Sequence, residues 1–277
     1  MTSWRTAPNK SVDVDGIPFT YRELGEPNGV PVVFLHHFTA VLDDWDPRVI
    51  DGIAARHHVI AFDNRGVGST GSKVPASLER MGEDAIAFIR ALGYDYVDLF
   101  GFSVGGAVAQ MVALQAPDLV RRMVLAGTGP RGGGGIWKMP FIVGSAYGKA
   151  FLTRKDPRHY LFFPRTAEGK AAATAYFARL AERTHDRDRP ISRQARNAQL
   201  RAITSGGLHR PDDLSRIKIP VLVANGDHDV MVSSDHSAGM AERLPNATLR
   251  IYPNSGHGGV FQHYREFVPE TLGFLAD

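Results

Sequence analysis

Ser103 stands at the apex of Gly101-Phe102-Ser103-Val104-Gly105. The mostly apolar run Tyr96–Phe100 precedes this pentapeptide, and the helical-looking run Gly106–Met111 follows it. The pattern reads as strand, sharp turn, helix. Such a turn strains the serine backbone and holds its Oγ clear of a sheet, while the flanking glycines let strand and helix pack closely. The chemistry on offer is nucleophilic attack. A serine hydroxyl attacks only when a base takes its proton, and that base is best a histidine oriented by a carboxylate.

The partners must sit on loops at the same edge of a sheet, at the carboxyl ends of its strands. Asp229 meets this condition in Asn225-Gly226-Asp227-His228-Asp229, after the apolar run 219–224, with Asp227 beside it as a competitor. His257 meets it in Asn254-Ser255-Gly256-His257-Gly258, after the run 247–252. The chain has 11 histidines, so position rather than type singles His257 out.

The elements that would carry these loops alternate. Residues 11–23 read as two short strands joined at Asp15-Gly16. Runs 30–35, 57–62, 96–100 and 122–126 are apolar enough for strands buried on both faces. Helices are predicted over 78–92, from the serine turn to Ala116, and over 261–276. This order predicts a mostly parallel, doubly wound α/β sheet. The alternation breaks at Arg131-Gly132-Gly133-Gly134-Gly135, a candidate hinge, and residues 136–212 show helical patterns without a strand. Some 70 residues is too long for a plain connection. The expected organisation is therefore a core of 1–130 and 213–277 with a helical cap at 131–212.

Composition narrows the function. The 277 residues are 43 % hydrophobic, enough for one sizeable domain with an elaboration. A formal charge of +3 is small for this length and does not point to nucleic acid. No run approaches the roughly 18 apolar residues of a membrane span. The first residues lack a basic stretch followed by an apolar region, so no secretory signal is expected and the cytoplasm is the expected compartment. With no cysteine, a thiol nucleophile, a disulfide framework and thiolate metal sites are all excluded. Asp43, Asp44 and Asp46 have no His or Cys partner at ligand spacing, so helix capping is their expected use, and no metal is expected. Gly101-x-Ser103-x-Gly105-Gly106 fails as a dinucleotide fingerprint, because serine holds its second glycine position.

Several motifs together resemble the α/β-hydrolase fold: Leu35-His36, Asp63-Asn64-Arg65-Gly66-Val67-Gly68-Ser69, the serine turn, Gly226-x-x-Asp229 and Gly256-His257, in that order. The resemblance spans nearly the whole chain and is closest to small bacterial esterases and cofactor-free haloperoxidase-like proteins. It implies a Ser103–His257–Asp229 triad, no cofactor, and hydrolysis of a small carboxylic ester, thioester or lactone. The family spacing favours Asp229 over Asp227, which is expected to cap the turn. Perhydrolysis and carbon–carbon bond hydrolysis run on the same machinery, and a receptor that binds without turnover shares the fold.

By the same resemblance, the oxyanion hole would take its N–H groups from Val104 and Phe38. His37 occupies the place where relatives usually have glycine, which puts the geometry of that turn in question and makes His37 a candidate pocket residue. His36 is expected to bond backbone, and Arg65 to shape its own turn. Within the cap, Trp137 and Phe141 are the candidate substrate contacts, among aromatics that include Tyr147, Phe162 and Tyr176. The cap's cations, among them Arg158, Arg183 and Arg187, are expected on a solvated face. The expected partner is a small ester-like molecule, without nucleic acid or membrane, bound by a monomer or homodimer.

Overall fold

The computed structural model describes residues 3–276. Eight strands form one sheet: β1 (Lys10–Val14), β2 (Ile17–Leu24), β3 (Val32–Leu35), β4 (Val59–Phe62), β5 (Val97–Phe102), β6 (Val120–Ala126), β7 (Val221–Gly226) and β8 (Ala247–Tyr252). Their spatial order is β1-β2-β4-β3-β5-β6-β7-β8. The β1–β2 and β2–β4 pairs are antiparallel and the others parallel. Asp15 and Gly16 both take positive φ at the β1–β2 turn, the conformation that matches the twist of a hairpin. Every residue of β3, β4, β5 and β7 is buried, as strands covered on both faces must be. The edge strand β8 has only one fully buried residue.

The helices of the core are α1 (Pro47–Ala54), α2 (Leu78–Ala91), α3 (Val104–Gln115), then α8 (Ser234–Arg243), α9 (Gly259–Gln262) and α10 (Tyr264–Ala276). Sequence patterning did not indicate α1 and α8, and it read α9 and α10 as one helix. The start of α1 was nevertheless signalled: Asp46 Oδ1 accepts the Arg48 N–H at 3.0 Å, and Pro47 opens the first turn.

Between β6 and β7 run α4 (Met139–Thr153), α5 (Arg158–Leu161), α6 (Ala167–Leu180) and α7 (Arg193–Leu208), with no strand among the described residues. Arg131 and Asp212, at the two ends of this segment, pair in bidentate fashion at 2.8 and 2.5 Å. Gly132 is pinned as well, its N–H donating to Gly206 O at 2.8 Å.

Candidate active site

The carboxyl ends of β5, β7 and β8 bring Ser103, Asp229 and His257 together. Ser103 has φ 57° and ψ −119°, a conformation L residues rarely adopt. The surroundings impose it. A Cβ on Gly105 would overlap Leu35 O, and one on Gly101 would lie 2.5 Å from Gly105 O. Close packing of β5, β3 and α3 therefore requires glycine on both sides of the serine. Ser103 N–H is tied to Ala126 O at 2.8 Å.

From Ser103 a buried chain of hydrogen bonds runs inward. Ser103 Oγ lies 2.8 Å from His257 Nε2, and His257 Nδ1 lies 2.7 Å from Asp229 Oδ2. The other oxygen of Asp229 accepts N–H groups from Met231 (2.7 Å) and Val232 (3.0 Å), which fix the carboxylate plane. Asp227 faces away. It accepts the N–H groups of Asn254 and Ser255 at 3.1 Å each, holding the β8 loop rather than the imidazole. Gly256 is packed against the backbone of Phe162, and Gly258 N–H donates to Phe162 O at 2.8 Å, so the inserted segment touches the histidine loop directly.

The turn after β3 resolves the question raised by His37. The left-handed residue there is Thr39, at φ 66°, and not His37. His37 therefore occupies the glycine position without strain. It is buried, its ring packed edge-on against Phe102 (5.4 Å) and Phe162 (5.1 Å). Burial lowers its pKa to about 3, so the ring is neutral and its Nδ1–H donates to Phe38 O at 2.8 Å. The N–H groups of Phe38 and Val104 have no acceptor among the described residues. His36 makes no backbone bond among the described residues, contrary to expectation. It lies 5.7 Å from the Trp45 ring with Nε2 3.6 Å from Asp63, and burial lowers its pKa to about 4. Arg65 fits its structural reading through a bidentate pair with Asp84 on α2, at 2.9 and 2.6 Å.

Two cavities meet at Ser103, and Phe38, Ser103 and Met231 line both. The smaller, about 40 Å³, is chiefly apolar, walled by Leu78, Val104, Ala107, Ile136, Met139 and Ile203 among others. The larger, about 540 Å³, mixes His37, Tyr147, Leu161, Phe162 and Ile191 with charged Asp43, Asp44, Asp156, Arg158, Arg187 and Asp188. Trp137 and Phe141 line neither cavity. They are 42 % and 74 % exposed: Trp137 lies in the turn just before α4, and Phe141 is on its outer face, because α4 turns Met139, Val143, Ala146 and Ala150 inward. One helix buries one stripe, and the smaller residues won it. Met231 was missed by sequence reasoning; its signal was its place two residues after Asp229.

The cations of the insert are not all solvated. Arg158 Nη1 contacts Asp44 Oδ1 at 2.5 Å while Asp156 grips its other side, and Arg179 pairs with Asp46 at 2.5 Å. Buried Arg183 donates to the carbonyls of Trp4, Arg5 and Ala7 at 3.2, 3.0 and 2.9 Å. Buried Asp43 is met by Arg22 (2.7 Å), Arg187 (3.2 Å) and Arg183 (3.6 Å). The aspartates of the 42–46 loop thus do more than cap helices: they tie the insert to the core. Asp188 of the insert also faces buried Asp63 at the end of β4. Burial and this neighbouring carboxylate push the Asp63 pKa well above its usual value.

Among the described residues, no group of three or more metal-ligating side chains is clustered, and no helix is long and apolar enough to cross a membrane.

Known proteins share this arrangement of elements. A non-heme chloroperoxidase from Streptomyces lividans is 29 % identical, the match covering 94 % of this chain and 97 % of the relative. A putative carbamate hydrolase from Caulobacter sp. (strain K31) is also 29 % identical, over 84 % and 85 % of the two chains. A 2-hydroxy-6-oxo-6-(2'-aminophenyl)hexa-2,4-dienoic acid hydrolase from Metapseudomonas resinovorans is 27 % identical, over 96 % and 90 %. Among solved structures, an alpha/beta hydrolase fold protein from Chitinophaga pinensis superimposes with a TM-score of 0.95 at 35 % identity, covering 99 % of each chain. The family model for the alpha/beta hydrolase fold matches residues 30–264. The chain therefore belongs to the alpha/beta hydrolase fold family, and it is a hydrolase.

Proposed function

We propose that this protein is a serine hydrolase that cleaves a short-acyl carboxylic ester, thioester or lactone through an acyl-enzyme. The observation that carries this reading is the Ser103–His257–Asp229 chain, with links of 2.8 and 2.7 Å, opening onto two cavities. His257 Nδ1–H donates to Asp229, which leaves the Nε2 lone pair to take the Ser103 proton. Ser103 Oγ attacks the carbonyl carbon. The developing oxyanion is received by the N–H groups of Val104, at the positive end of α3, and of Phe38. His257 then protonates the leaving oxygen or sulfur. In the second half it takes a proton from water, which attacks the acyl-enzyme and frees Ser103. The small apolar cavity suits the acyl group, and its size favours short chains. The large mixed cavity suits a bulkier polar leaving group. Segment 131–212, which contributes Tyr147, Phe162 and Arg158 to that cavity, acts as the cap.

A second reading is perhydrolysis or carbon–carbon bond hydrolysis on the same residues, favoured by the chloroperoxidase and the dienoic acid hydrolase among the relatives. The test is fluorophosphonate labelling read by intact mass, alongside hydrolysis of p-nitrophenyl acetate and butyrate. One adduct on the wild type, none on Ser103→Ala, and a matching loss of turnover are expected. Peracid formation from acetate and hydrogen peroxide, faster than ester hydrolysis, would select the perhydrolysis form of the second reading. Binding of esters with no adduct and no turnover would make the protein a receptor and sink both.

A further inference from the structure

The outer face of α4 carries a feature that the hydrolase chemistry does not use. Phe141, Ser145, Gly148 and Leu152 recur at helical spacing along one stripe, with Phe151 beside it. Phe151 and Leu152 are 85 % and 82 % exposed. Three large apolar side chains left in water on one helix face, Phe141, Phe151 and Leu152, mark an interaction surface. Its charge setting narrows the partner. Next to the stripe runs a groove of about 570 Å³ whose lining includes Lys149, Lys155, Arg165 and Lys170 and no acidic residue. None of these four cations takes part in an ion pair among the described residues, and neither does Lys138 or Arg154 at the ends of α4. Asp156, just past the end of α4, is engaged by Arg158. A second copy of this chain would bring the same cations against each other, which disfavours self-pairing through this face.

We infer that the outer face of α4, with the Lys149–Lys170 groove, is a docking surface for an anionic lipid bilayer. Phe151 and Leu152 enter the headgroup boundary while the lysines and Arg165 meet lipid phosphates. An interfacial helix combines apolar side chains at the boundary with cations at headgroup level in this way, and it needs no spanning segment. The sequence expectation of no membrane partner rested on the lack of such a segment, which does not bear on surface binding. The small residues Gly144, Ser145 and Gly148 let the backbone approach the headgroups closely; a Cβ on either glycine would meet nothing within 4 Å.

The experiment is co-sedimentation of the full chain with vesicles of phosphatidylcholine alone or mixed with phosphatidylglycerol, at low and physiological salt. Binding is expected on the mixed vesicles only, weakening with salt. Lys149→Glu/Lys155→Glu should lower the partition coefficient by about 25-fold or more, since each cation near an anionic surface is worth about fivefold. Phe151→Ser/Leu152→Ser should lower it by about tenfold through lost apolar burial. Unchanged near-UV circular dichroism and Tm in both variants separate lost binding from lost fold, whatever bond Ser103 cleaves. Three outcomes overturn the proposal: no sedimentation with anionic vesicles at low salt, variants that bind like the wild type, or a wild-type dimer that Phe151→Ser/Leu152→Ser converts to monomer, which would give the face to a second copy.

Discussion

The edge of the sheet and the inserted helices face each other across the large cavity, and they are held by different physics. At the sheet edge, geometry comes from the backbone. Ser103 stays at φ 57° because glycine on either side lets β5, β3 and α3 close around it. His257 is aimed by a strand end and by a carboxylate locked on two N–H groups. The insert relies on side chains far apart in sequence. Arg158 reaches Asp44, Arg179 reaches Asp46, and three arginines converge on Asp43. A backbone-defined site is rigid and intolerant of substitution. A segment held by ion pairs can be weakened one pair at a time while the sheet stays intact.

The strongest way to break this contrast lies within the sheet edge. Asp229→Asn should lower ester turnover by about 10⁴-fold by spoiling the imidazole tautomer, whereas Asp227→Asn should keep turnover within a small factor. Equal losses in steady-state kinetics would mean that the two aspartates are not separated as their hydrogen bonds indicate. Gly105→Ala comes next, since its methyl has no place beside Leu35 O. A cost of about 3 kcal/mol or more is expected in denaturant unfolding, at the upper end for overpacking.

In the insert, Arg158→Met leaves Asp44 without its partner and should cost about 2–3 kcal/mol, somewhat below a fully buried pair. Hydrogen exchange should show the loss confined to residues 158–192, with β5–β7 still protected. Protection lost equally throughout would show that the two regions are one cooperative unit.

The Asp63–Asp188 contact couples the regions to pH. Asp63 has a raised pKa in the folded state, so its contribution is fully present below the unfolded value of about 3.9 and is lost as pH rises through the folded value. Asp63→Asn removes the carboxylate that faces Asp188, and with it the like-charge repulsion that grows as Asp63 ionises. Its stability relative to wild type should therefore improve as pH rises through the folded value, by about 1 kcal/mol or more, which is what a one-unit rise in pKa is worth. Calorimetry from about pH 4 upward reads this, and a pH-independent difference would remove Asp63 ionisation from the account. The smallest effect is Gly148→Ala, where nothing lies within 4 Å of the added carbon. A gain of about 0.5–1 kcal/mol in helix propensity is expected, opposite in sign to Gly105→Ala.

The serine turn, the strands along the chain and the loops that carry Asp229 and His257 were legible because each depends on neighbours a few residues away. An apolar run long enough for a buried strand, a glycine where a side chain would collide and an aspartate at spacing three are local requirements, so they leave local marks. The Asp15-Gly16 turn and the cap at Asp46 belong to the same class. The choice of Asp229 over Asp227 rested on the family's spacing, and Asp227 instead bonds the Asn254 and Ser255 N–H groups. What the cavity contains was not legible. Arg158 and Asp44 are 114 positions apart, and Arg183 and Trp4 are 179; no periodicity links them. Trp137 and Phe141 looked like contacts in the Ser103 pocket by type, yet α4 buries the stripe opposite Phe141, which faces a separate cavity beyond Asp229 instead; the choice of inner face is made by what the core presents and not by the helix. His37 kept its place in a turn that usually takes glycine because Thr39 carries the left-handed backbone in its stead. Sequence thus determined the scaffold and the loops on which Ser103, Asp229 and His257 sit. Tertiary packing alone decided what surrounds them, since burial and ion pairing are properties of surfaces brought together and not of either surface by itself.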